Sequence, residues 1–145
     1  MASGTSVVVV TGAASSFAQE IIAGKHRLVS DEPVDMEGTD TGPDNYELLL
    51  ASLGSCTSMT VAVYARRKQW PLTRVTVNLK HYKIDAADCE ECETKQGQID
   101  RIEREVVLEG TLSDEQRTRL LEIANKCPIH KTLRSEINIQ TRLSP

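Results

Sequence analysis

The sequence predicts an α+β domain in which antiparallel sheets surround one long, buried, cysteine-bearing helix. Strand-like runs cluster near the start, and an apolar stretch of helical length follows them. The remainder reads strand, strand, helix, helix, strand, without the regular strand–helix alternation that a doubly wound parallel sheet requires. With 145 residues, the chain is expected to form a single domain over 1–145, long enough to bury one core and too short for two.

The opening runs "SVVVVTG" (6–12), "FAQEIIAG" (17–24) and "HRLVSDEP" (26–33) are short and separated by turn formers at Gly12, "GAASS" and "AGK". They read as a small antiparallel meander. The next segment, "DMEGTDTGPDN" (35–45), is too rich in breakers to be an element. It leads into "NYELLLASLGSCTSMTVAVYARRKQW", whose start is marked by Pro43 and by Asp44 with Glu47 three residues on, a capping-box spacing. Apolar residues occur on nearly every side of this helix until Tyr64, and Pro71 ends it. A helix apolar all round is expected to be covered all round, by a sheet on one side and a second subunit on the other.

"TRVTVNLKHYKID" (73–85) alternates as a strand with Val75, Val77, Leu79 and His81 on one face. "IDRIEREVVLEGTL" (99–112) is its hairpin partner through Ile102, Val106 and Leu108, with a wavering phase that allows a bulge. A helix over 113–126 is announced by Ser113 and Gln116, again a capping box. Pro128 suits the first position of a short helix at "PIHKTLR", and "EINIQTRL" (136–143) alternates as a closing strand.

A net charge of −4 with interspersed signs gives no basic stripe, which argues against a nucleic-acid partner. No run reaches the roughly 20 unbroken apolar residues of a membrane-spanning helix, so no membrane partner is expected. The apolar "SVVVV" near the start lacks a basic leader, making it a poor export signal and a good strand. Four cysteines in such a chain point to a reducing cytoplasm, where reactive thiols are more plausible than staples.

Helix geometry puts Leu49, Leu53, Cys56, Thr60 and Val63 on one stripe. Cys56 therefore faces an apolar neighbourhood, where a thiol is either inert packing or, with a charge or helix end nearby, reactive. Cys127 lies just before Pro128, so its sulfur is expected near free N–H groups at a helix start, which favour the thiolate. The alternative for Cys127 is a small apolar plug. His130 reads as an ordinary packing or surface histidine. Cys89 and Cys92, in "DCEECE", supply only half of a tetrahedral metal site, and their acidic neighbours oppose thiolate formation. They are expected as free thiols in a solvated hairpin loop, with a site completed by His81 or an acid as the alternative. No metal or cofactor is expected.

"TGPDNYELLLASLGSCTSMTVAVYARRKQWPLTRVTV" and "DRIEREVVLEGTLSDEQRTRLLEIANKCPIHKTL" closely resemble the OsmC/Ohr superfamily, with its "YELLLA.LG.CT" and "CP.H.TL" signatures, from about residue 17 to 143. The resemblance implies an intertwined α+β homodimer with the cysteine helices buried centrally. It also implies a thiol-dependent peroxidase in which Cys56 attacks an organic hydroperoxide or hydrogen peroxide, Cys127 resolves the sulfenic acid as a disulfide, and a dithiol donor restores both. Peroxidase members place a glutamate ten residues before the helix cysteine and an arginine upstream of it. Here Tyr46 stands ten back and Glu47 nine back. Glu47 takes the tuning role by resemblance, although helix geometry turns it about 180° from Cys56, toward a partner chain's site or toward the capping box alone. Arg27 is the upstream arginine that could substitute. A different class is a module that binds a small apolar or electrophilic ligand at the dimer interface without turnover.

Overall fold

The structure is a computed structural model that describes residues 4–145. These fall into two compact units, one ending at Leu49 and one running from Leu50 to Pro145.

In the first unit, β1 (Val8–Gly12), β2 (Gln19–Ala23) and β3 (His26–Ser30) form the expected meander, paired antiparallel in the order β1-β2-β3. The loop after β3 is organised by one buried carboxylate. Asp31 accepts hydrogen bonds from the hydroxyls of Thr39 (2.6 Å) and Thr41 (2.7 Å) and from the backbone N–H groups of Thr41 and Glu32. Led by the two threonine hydroxyls, these donors hold its pKa far below the usual carboxylate range. Short polar side chains thus do the hydrogen bonding that a regular element would otherwise do.

The long helix α1 (Asn45–Lys68) starts where its capping box dictates: the Glu47 N–H donates to Asp44 Oδ1 at 2.8 Å, and the Asp44 N–H to Glu47 Oε1 at 3.1 Å. It ends with Arg66, Arg67 and Lys68 against the negative end of its dipole and with Gln69 in the left-handed conformation (φ 57°). Within the second unit its buried residues are Leu53, Gly54, Cys56, Thr57, Val61 and Ala65. One face is therefore covered, while Met59 on another remains 56% exposed. The sheet side of the expectation is met, and a two-stranded sheet with two short helices covers only that side within one chain.

The expectation that no segment has spanning length is also corrected. At 24 residues, α1 is long and apolar enough to cross a membrane by length and composition alone. Its packing instead makes it the core helix of the domain.

That packing is supplied by a long antiparallel hairpin, β4 (Leu72–Asp85) and β5 (Gln98–Gly110). Its inward face pairs Val75 with Leu108, Val77 with Val106, Leu79 with Arg104, and His81 with Ile102. The irregularity lies at Leu72–Arg74. A Cβ on Gly54 would come within 2.7 Å of Leu79 Cδ1, so glycine lets α1 cross β4 closely at this point. Helix α2 (Asp114–Ala124) carries the reciprocal Ser113–Gln116 capping box, and its Leu120, Ile123 and Ala124 close the main core with Val61 and Ala65. Leu120 is fully buried, so truncation to alanine is worth about 2–5 kcal/mol.

The short helix α3 (Pro128–Arg134) follows, with Pro128 in its first turn. Residues 136–143 do not form the expected strand. They run without a ladder partner, and Ile137 and Ile139 are 54% and 83% exposed. Alternation suits a segment to a sheet, but nothing among the described residues pairs with it.

The loop between β4 and β5 also departs from expectation. A 3-10 turn over Ala86–Asp88 tucks Cys89 inward to 2% exposure, and Cys89 is joined to Cys92 as a disulfide. These cysteines are thus neither free nor both in solvent. His81 Nε2 lies 2.9 Å from Asp100 Oδ1, and no cluster of His, Cys, Asp and Glu suited to a metal occurs among the described residues.

Candidate functional site: a buried thiol pair

The fold brings Cys56 and Cys127 together. Cys56 is on the covered face of α1, and Cys127 caps α3. Both are free and buried, at 8% and 0% exposure, in a small cluster with Leu53, flanked by Leu79, Ile102, Ile129 and Leu133. The two side chains are hydrogen-bonded to each other.

Their environments push the pair apart. Burial raises the Cys56 thiol, and the neighbouring Cys127 sulfur adds to the rise, more than offsetting the Ile129 N–H and the Thr60 hydroxyl. Burial also opposes ionisation of Cys127, but hydrogen-bond donors and a nearby cation outweigh it. The His130 N–H donates to Cys127 Sγ at 3.3 Å, the Thr57 hydroxyl lies 3.7 Å away, Cys56 hydrogen-bonds to it, and Arg104 adds positive charge. Cys127 therefore sits below its ordinary pKa. The two thiols are thus unequal, and Cys127 is the one whose surroundings favour the thiolate.

Arg104 organises this arrangement. On β5, opposite Leu79, it donates to Thr57 Oγ1 (2.9 Å), Asn125 Oδ1 (2.8 Å) and His130 Nδ1 (3.0 Å). A guanidinium can only donate, so Nδ1 of His130 is an acceptor and the ring proton is on Nε2. Burial and the charges of Arg104 and Arg134 keep His130 below its usual pKa, consistent with a neutral ring. Thr57, fully buried, accepts from Arg104 while donating to Leu53 O at 2.7 Å. The buried Thr60 hydroxyl has no hydrogen-bond partner of ordinary geometry.

Sequence reasoning missed Arg104 and Thr57 and read His130 as packing. The signal for Arg104 was its phase, since it falls between Ile102 and Val106 on the apolar face of a strand, where a charge needs partners. Of the other sequence-derived candidates, Glu47 is exposed in the first turn of α1 with its carboxylate in the capping box. Arg27 is exposed on β3, 3.6 Å from Glu20.

Fold and site together define an α+β protein with a buried, electronically unequal dithiol at the middle of a long helix. The sequence matches the family of OsmC-like proteins over residues 38–142, and the chain belongs to that family. No protein among the curated ones matches it. Its fold is shared by an OsmC-like protein from Mycoplasma pneumoniae (TM-score 0.71, 16% identity, covering 90% of this chain and 88% of that one). It is shared too by an organic hydroperoxide resistance protein OsmC from Legionella pneumophila (TM-score 0.65, 16% identity, 92% of each chain). The organic hydroperoxide resistance protein OhrB of Bacillus subtilis is similar as well (TM-score 0.62, 18% identity, 90% and 91%).

Proposed function

We propose that the chain is a two-cysteine hydroperoxide reductase, working as a homodimer in the cytoplasm with a dithiol donor and no metal or cofactor. The observation that carries this reading is the buried, free pair Cys56 and Cys127, with Arg104 bonded to Thr57 and His130 beside the second sulfur.

Cys56 is the attacking thiol, because it keeps some exposure whereas Cys127 has none. Its raised pKa is overcome by its neighbour: the Cys127 thiolate takes the Cys56 proton as the peroxide arrives. The Cys56 sulfur then bonds to the distal peroxide oxygen and the O–O bond breaks. The departing alkoxide recovers the proton from Cys127, leaving an alcohol, a Cys56 sulfenic acid and a Cys127 thiolate. That thiolate attacks the Cys56 sulfur; a disulfide forms and hydroxide leaves, becoming water with a proton from solvent. A dithiol returns two electrons and restores the pair.

Thr57 has one proton and two acceptors, Leu53 O and Cys127 Sγ, so it can turn to the sulfur as negative charge gathers there. The Thr60 hydroxyl is available to a peroxide oxygen. The apolar side chains around the pair favour organic hydroperoxides over hydrogen peroxide. Glu47 contributes only if it addresses a partner's site.

The test is mass mapping after peroxide treatment. Wild type is expected to lose two hydrogens at Cys56 and Cys127. Cys127→Ser is expected to accumulate sulfenic and then sulfinic acid on Cys56, more slowly than wild type reacts because its base is gone. An unmodified Cys56 under excess hydroperoxide would sink the proposal.

A further inference from the structure

The disulfide at the far end of the β4–β5 hairpin lies apart from the thiol pair. Between the Leu79–Arg104 and Asp85–Gln98 pairs the hairpin advances six residues (85 minus 79), roughly 20 Å at about 3.3 Å per residue. Cys89 and Cys92 are therefore already bonded to one another and too distant to serve Cys56 directly within this unit.

Their two sulfurs are not equivalent. Cys89 is 2% exposed, beneath the turn in which its N–H donates to Ala86 O at 3.2 Å, whereas Cys92 is only half-buried. An incoming thiolate can reach Cys92, and Cys89 is then the leaving group. Lys95, the single basic residue of 84–97, donates from Nζ to Cys89 O at 2.9 Å and to Glu90 O at 3.2 Å. It thereby puts positive charge beside the leaving cysteine and ties down two successive carbonyls of the backbone there. Around this centre stand Asp85, Asp88, Glu90, Glu91 and Glu93, all exposed. A field of that sign repels anionic thiols and draws in cationic ones.

We infer that Cys89–Cys92 is a second thiol–disulfide exchange site, attacked at Cys92 and matched to a dithiol protein whose reactive cysteine is ringed by basic side chains. The donor thiolate bonds to Cys92 Sγ, the Cys89–Cys92 bond breaks, and Cys89 leaves with the electron pair and takes a proton from solvent. The donor's second thiol then attacks the donor sulfur of the mixed disulfide and releases Cys92 as a thiolate. Two electrons pass from the donor dithiol, which becomes a disulfide, to the pair, which becomes a dithiol.

The test reduces the folded full-length chain with cysteamine, a cationic thiol, and with 3-mercaptopropionate, an anionic one, at equal thiolate concentration. Peptide mapping reads Cys89 and Cys92 separately from Cys56 and Cys127, so the outcome is independent of any peroxide activity. Cysteamine is expected to act at least fivefold faster at low salt, with the ratio falling toward one near 1 M salt, where the screening length is about 3 Å. The mixed disulfide quenched in acid is expected on Cys92. A variant combining Glu90→Gln, Glu91→Gln and Glu93→Gln should lose most of the preference while keeping the disulfide. Equal rates at low salt, a mixed disulfide on Cys89, or reduction only under unfolding conditions would each overturn the inference.

Discussion

Arg104 on β5 and Thr57 on α1 are joined by a 2.9 Å hydrogen bond from guanidinium to hydroxyl, and through this contact the sheet sets the charge on a cysteine that neither residue adjoins in sequence. The same guanidinium holds His130, whose backbone N–H caps Cys127. Three elements thus converge on one sulfur.

Replacing Arg104 is therefore expected to raise the Cys127 pKa. In Arg104→Met the thiolate absorbance near 240 nm should appear at higher pH than in wild type, and hydroperoxide turnover at neutral pH should fall about tenfold or more. Arg104→Lys should rescue little, because one ammonium cannot reach Thr57, Asn125 and His130 in the planar fork that arginine provides. An unchanged titration would show that the His130 N–H alone suffices.

A second expectation concerns acid. Asp31 has a depressed pKa in the folded chain, so its contribution to stability is fully present above the unfolded value of 3.8 and is lost as pH falls below it. Denaturation followed from pH 5 down to 2 should show wild type weakening through this range, and Asp31→Asn should be weaker at pH 5 with a flatter decline. Parallel curves would contradict the assignment.

The disulfide carries its own consequence for stability. The small loop it closes is worth about 2 kcal/mol by chain-entropy reckoning, and Cys89 is buried. Chemical denaturation of the Cys89→Ser, Cys92→Ser double variant should show a loss of about 1–3 kcal/mol, with hydroperoxide turnover nearly intact.

Association is expected as well. The exposed Met59 on α1, and Ile137, Ile139 and Leu143 in the unpaired end segment, leave apolar surface that a second copy would cover. Sedimentation should give a dimer at low micromolar concentration, and removal of residues 136–145 should weaken it. A folded wild-type monomer at that concentration would remove the homodimer from the proposal.

Much of the architecture was legible from local signals. The starts of α1 and α2 are written by their capping boxes, the β4–β5 hairpin by alternation, and the cap position of Cys127 by Pro128. These are interactions among residues a few positions apart. The site was half legible: resemblance paired Cys56 with Cys127, but Arg104 acquires meaning only when β5 pairs with β4 and both lie against α1. Acidity around Cys89 and Cys92 suggested solvent, yet one 3-10 turn was enough to bury the first and set it beside the second. The alternation of 136–143 described what such a segment would suit, but among the described residues no strand edge pairs with it.

Cys127 accepts the His130 N–H as the cap of a helix only seven residues long, so the atom that exchanges electrons also anchors a piece of backbone. A thiolate is a strong acceptor and a disulfide sulfur a weak one. Once Cys127 joins Cys56 in a disulfide, α3 keeps its proline but loses much of its cap, a change worth about 0.5–2 kcal/mol to a helix of marginal length. Amide exchange across 128–134 should accelerate on oxidation and slow again on reduction. The oxidation state of one sulfur would then be felt as fraying two turns away, where the last eleven residues begin.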